Sequence, residues 1–95
     1  MYCLNVWLTV KDAANVETVR KLLAEQVRLS RAEPGCLRFE AYHSEADVRR
    51  FLLVERWNAK SDWETHRTAM AVTEIYVPQV LPLVDRESHV STLIE

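Results

Sequence analysis

Apolar and polar residues alternate from Tyr2 to Val10. Tyr2, Leu4, Val6, Leu8 and Val10 fall on one side, and Cys3, Asn5, Trp7 and Thr9 on the other. A period of two in β-forming residues predicts a strand whose aliphatic side faces the core. Trp7 on the second side predicts that this side is not open water either. Lys11 to Asn15 is a polar turn with Asn15 at a helix N-cap position. The period then lengthens. Val16, Val19, Leu23 and Val27 share a stripe, with Leu22 and Leu29 or Ser30 at its edge, which predicts a helix from Val16 to about Ala32. Glu33-Pro34-Gly35 ends it, because proline cannot continue a helix and glycine accepts the left-handed conformation.

Alternation returns at Cys36 to His43, with Leu37, Phe39 and Ala41 on one face, and at Arg50 to Trp57, with Phe51, Leu53, Glu55 and Trp57 on one face. Polar Ser44 to Asp47 predicts the hairpin connection between them. Ser61-Asp62-Trp63-Glu64 has the form of a capping box, with Ser61 and Glu64 as its reciprocal partners, and predicts a short helix to about Arg67. From about Met70 to Val84, Val72, Ile75, Tyr76, Val80 and Leu83 recur at helical spacing. Pro78 kinks or breaks that segment, and Pro82 marks its end. Arg86 to Ile94 is the predicted fourth strand.

The order β-α-β-β-α-β places the chain in the α+β class as one ferredoxin-like domain over residues 1–95, with a four-stranded antiparallel sheet under helices. Trp7, Leu52 and Val54 leave neither sheet face wholly polar. A partner sheet is therefore expected, most simply from a second copy about a two-fold axis.

Composition narrows the function. Hydrophobic residues are 48% and charged residues 27%, the balance of a soluble globular protein. A net charge of −2 without a basic stripe argues against nucleic acid as a partner. The single glycine excludes a glycine-rich phosphate loop. Two cysteines, Cys3 and Cys36, supply neither a disulfide framework nor a metal-binding pair. No apolar run is long enough to span a membrane, and Lys11 and Asp12 come too early for a secretory signal, so a reduced, cytoplasmic protein is expected.

The candidate chemistry centres on His66 and Glu55. His66 follows Trp63 by three residues, so a helix projects both rings from nearly one face, and an imidazole there can move a proton near neutral pH. The bland alternative is a histidine that only hydrogen-bonds a carboxylate. Glu55 shares a strand face with Phe51, Leu53 and Trp57. A carboxylate buried there either pairs with Arg38, Arg56 or Arg86, or carries a raised pKa and works as a base. Trp57 and Trp63 are candidate walls for a planar ligand, or ordinary core. Tyr76 and Tyr42 are candidate phenol donors, or rim residues. His43, His66 and His89 lie on different elements without metal-ligand spacing, so no metal is expected. Cys36 lacks any feature that lowers a thiol pKa and reads as core.

Glu33 to Phe39, then Phe51 through Glu55-Arg56-Trp57, then Ser61 to His66, together resemble the antibiotic biosynthesis monooxygenase domain. The resemblance covers nearly the whole chain. It implies a homodimeric α/β-barrel, two ferredoxin-like sheets face to face, with a pocket between sheet and helices in each subunit. That family includes oxygenases that oxidise phenols and quinols with molecular oxygen and no metal or flavin, haem degraders, and an isomerase-like enzyme on a phosphorylated signal sugar. His66 matches a histidine common on the short helix, although Thr65 stands where an alanine is usual. Thr68-Ala69-Met70-Ala71 replaces a stretch that often holds a second histidine, which speaks against two-histidine chemistry and against haem. The implied activity is a cofactor-independent monooxygenase with His66 as base, held by Glu55. Trp57, Trp63, Tyr76, Arg38 and Tyr42 would contact the substrate. The alternatives are an isomerase on a small carbonyl or sugar phosphate, with Arg38 as anion holder, and a non-catalytic dimeric binding or stress protein.

Overall fold

The first alternating segment forms β1 (Tyr2–Val10) in the computed structural model, which describes residues 1–95. The later ones form β2 (Cys36–His43), β3 (Arg50–Trp57) and β4 (Val84–Ser91). All pairings are antiparallel, in the order β2-β3-β1-β4. This is the predicted ferredoxin-like sheet. Register sets Leu4, Val6 and Leu8 opposite Glu55, Leu53 and Phe51. That face carries the core, closed by Val19 and Leu23 of α1 (Val16–Arg31) and by Tyr76 and Val80 of a wide helix over Ala71–Val80. No helix is long and apolar enough to cross a membrane.

The opposite face carries Asn5 and Trp7 of β1 beside Val54 and Leu52 of β3, as their cross-strand pairing requires. All four are half-buried. The Arg50 guanidinium lies 4.5 Å from the centre of the Trp7 ring, and Arg56 donates to Asn5 Oδ1 at 3.2 Å.

Several sequence expectations shift. On α1 the buried stripe runs through Val19, Leu23, Gln26 and Ser30 rather than through Val27. This 4-3-4 spacing follows the helical turn, and two polar residues concealed it. In β2 a bulge between Cys36 and Arg38 turns Leu37 outward, where it is 58% exposed, while Phe39 is buried. β4 begins two residues earlier than expected because Val84 pairs with Val10 in the core. It also ends earlier, at Ser91. Helix α2 (Lys60–His66) is capped two residues ahead of the predicted box. The Asp62 carboxylate accepts from the Ala59 N–H at 3.0 Å, and Ser61 plays no capping role.

Pro78 does not break the later helix, which continues to Val80. It sits inside i→i+5 turns, of which the Leu81 N–H to Tyr76 carbonyl bond is one. A proline has no N–H for the carbonyl four residues back. The Gln79 side-chain amide donates to that Glu74 carbonyl instead, at 2.9 Å.

Gly35 has φ +78° and supports α2 directly. A Cβ built there would stand 2.2 Å from the Asp62 carboxyl carbon. Gly35→Ala therefore combines left-handed backbone strain with displacement of the capping carboxylate. The expected loss is about 2 kcal/mol of unfolding free energy by urea titration, against none if the turn is permissive.

Candidate active site

His66 is the last residue of α2 and is 4% exposed. Its ring packs against Trp57 and Phe39, with centroids 4.6 Å and 5.6 Å away. Glu33, in the turn after α1, approaches from one side, with its Oε1 2.7 Å from His66 Nδ1. Facing a carboxylate, Nδ1 is assigned as the protonated nitrogen of the neutral ring, donating to Glu33. The lone pair then resides on Nε2, which points toward Glu55 Oε1 at 3.9 Å. That separation is too long for a direct hydrogen bond. A hydroxyl placed beside both atoms can reach each of them.

Glu55 lies on the core face of β3 and is 5% exposed. Removal from water raises its pKa to about 7, against the opposing pull of the Trp57 indole N–H and the Arg86 charge. The indole donates to Glu55 Oε1 at 3.1 Å. Burial also drives the His66 pKa below its ordinary value, an effect Glu33 opposes through its hydrogen bond and charge. Near neutral pH the imidazole is thus a free base beside a carboxyl group that exchanges its proton. Trp57→Phe keeps most of the packing and removes the N–H. The Glu55 titration should then move upward from about 7, read by carbon NMR of the labelled side chain. An unmoved titration would show that the indole does not hold the charge.

Glu55 and His66 open onto a cavity of about 280 Å³ between the sheet and the helices. Trp63, Tyr76, Arg86 and Gln26 complete its polar and aromatic wall. Trp63 packs on Tyr2, with ring centroids 5.1 Å apart, and the Arg67 guanidinium stands 5.1 Å from the Trp63 ring centre. The Arg86 Nε donates to the Tyr76 hydroxyl oxygen at 2.8 Å. The phenol proton itself has no protein acceptor and is free for a ligand. Burial holds the Tyr76 pKa above its ordinary value, so that proton is retained.

The structure brings together His66, Glu55, Trp63 and Tyr76. Trp57 is fully buried and acts through Glu55 rather than as a cavity wall. Arg38 and Tyr42 stand elsewhere. Both are exposed on the sheet face away from the helices and bond Glu40. An anion entering the cavity would meet Arg67 and Arg86 rather than Arg38. Tyr42 borders a larger cleft of about 510 Å³ between α1 and β2, but none of the ionisable side chains there is buried. Cys36 is half-buried, and burial raises its thiol pKa. No three His, Cys, Asp or Glu side chains converge in a geometry that could hold a metal. Glu33 and Gln26 are the site residues that sequence reasoning missed. Glu33 stood in a motif read as a helix stop and as part of the family resemblance, with no role of its own assigned.

A buried imidazole, oriented by one carboxylate and facing a second across a small aromatic cavity, defines an acid–base pocket on a ferredoxin-like scaffold. The model of the antibiotic biosynthesis monooxygenase family matches residues 1–76, and the chain belongs to that family. Its fold is similar to that of a candidate antibiotic biosynthesis monooxygenase from Nitrosomonas europaea, with 22% identity, TM-score 0.91 and full coverage of both chains. A candidate member from Deinococcus radiodurans is 24% identical with TM-score 0.88, over 100% of this chain and 94% of that one. A conserved protein of unknown function from Bacteroides thetaiotaomicron, described as a possible oxidoreductase, is 21% identical with TM-score 0.87, over 95% and 94%. At these identities the likeness carries the fold alone. No curated protein shows significant sequence similarity to the chain.

Proposed function

We propose that the protein is a cofactor-independent monooxygenase of phenols or quinols, working as a homodimer. The observation that carries this reading is the His66 Nε2 lone pair, turned by Glu33 toward Glu55 and the cavity. A phenol bound against Trp63 gives its proton to Nε2. The imidazolium that forms is stabilised by the Glu33 carboxylate, and Glu55 takes part in passing the proton on. The phenolate is the electron-rich form that reacts with oxygen. The Tyr76 hydroxyl donates to a ligand oxygen, oriented by Arg86.

The chemistry balances without an external reductant. An anthrone methylene and one O2 give a quinone carbonyl and one water, and all four electrons come from the substrate. A hydroquinone and one O2 likewise give a hydroxyquinone and one water. Dimerisation is supported by the half-buried Trp7, Leu52 and Val54 on the sheet face that no helix covers. The test is product mass after reaction of chelator-treated protein with anthrone under oxygen-18 gas. Protein-dependent gain of one heavy oxygen per product supports the reading. Heavy oxygen gained no faster than in the protein-free control would refute it.

A further inference from the structure

The inner surface of α1 presents a polar group where packing alone would place an aliphatic one. Gln26 lies on the stripe of Val19 and Leu23 and is 2% exposed. Its Oε1 is fully buried and has no hydrogen-bond partner. An unpaired buried amide oxygen destabilises the fold, and leucine at this position would remove that penalty. The other unpaired buried atoms, Ser30 Oγ and Arg50 Nε, belong to residues outside the cavity wall. Gln26 belongs to it, together with Glu55 and His66.

We infer that Gln26 is the specificity residue of this cavity and selects a small aromatic diol over a simple phenol. A ligand with one hydroxyl satisfies the His66–Glu55 wall and leaves the amide of α1 unpaired. Oε1 is closed off as it stands, so pairing requires the amide to turn toward the cavity it lines; a second hydroxyl then pairs whichever end is presented, because a hydroxyl both donates and accepts. The volume, about 280 Å³, lies just below the range of about 300–1,000 Å³ typical of small-molecule sites, which points to one or two rings. The inference rests on the proposed function for the aromatic, ionisable ligand, and it is independent of the reaction with oxygen.

The experiment is anaerobic binding to the full-length protein, followed by tryptophan fluorescence or calorimetry, with 1-naphthol, 1,4-dihydroxynaphthalene and 1,5-dihydroxynaphthalene. In the parent protein at least one diol should bind about tenfold tighter than 1-naphthol, the scale of one buried hydrogen bond. Gln26→Leu should erase that preference, retain 1-naphthol affinity, and unfold at no lower a temperature than the parent. Gln26→Met keeps the length of the side chain and serves if the leucine protein does not fold. A preference that survives both substitutions, equal affinity for all three probes in the parent, or no binding of any probe overturns the inference. Because oxygen is absent, a diol preference without turnover would uphold Gln26 and count only against the oxygenase reading.

Discussion

His66→Ala should lower kcat for quinol oxidation about 100-fold or more, the usual contribution of a positioned general base. The loss should depend on pH in a way that a purely structural role would not produce. On the proposed mechanism the working base is the unprotonated Nε2, and burial keeps the imidazole pKa below its ordinary value. The fall in rate that protonation of His66 causes should therefore come below the ordinary histidine pKa. The alanine protein must wait for the substrate to ionise unaided. Its rate should climb with pH and approach that of the parent once the free phenol is deprotonated. A stability measurement beside the kinetics separates catalysis from packing, since the ring fills space against Trp57 and Phe39. Equal kcat in the two proteins at every pH would remove His66 from the mechanism.

Glu55→Gln should gain about 3 kcal/mol of stability relative to the parent between about pH 4 and about pH 8. The carboxyl group titrates at about 7 in the folded chain, against an ordinary value of 4.5. Between those values the unfolded chain has released its proton and the folded chain retains it. Stability is therefore fully present below the ordinary value, falls as pH rises toward 7, and stays low above it. Glutamine carries no such charge, so its curve lacks that decline. His66 acts in the opposite sense, with stability lost as pH falls, but it is present in both proteins and leaves the difference dominated by Glu55. Urea titrations across this pH range provide the check. A parent and variant whose curves run parallel would show Glu55 to be ionised and paired in the native state. On the proposed mechanism the same carboxyl serves the site, so such a gain would mark a functional group retained against stability.

The elements were legible because their periods are strong. β1, β2 and β3 match the sequence expectation at both ends, and α1 differs by one residue. What was missed has local causes. A bulge between Cys36 and Arg38 reverses the face of Leu37, although Pro34-Gly35 just before it read only as a turn. The cap at Ala59 relies on a carboxylate three residues later, while Ser61 offered a stronger local signal. Pro78 is accommodated by wide turns and by the side chain of Gln79, a solution that propensity does not reveal.

The site was half legible. Glu55 stood out as a carboxylate among apolar residues, and His66 as an imidazole beside Trp63. Neither the Glu33–His66 contact nor the turn of Gln26 toward the cavity follows from spacing. The first spans 33 residues. The second depends on which polar residue the 4-3-4 stripe carries inward. Arg38 and Tyr42 were drawn into the expected site by residue type, yet β2 directs both to the opposite face of the sheet.

The central claim is that this pocket activates a phenol toward oxygen with its own residues. The most direct measurement is oxygen consumption by chelator-treated protein with a panel of hydroquinones and anthrones, without added cofactor. The account predicts uptake proportional to protein concentration, above the autoxidation of each substrate. No uptake above autoxidation with any member of the panel would contradict it.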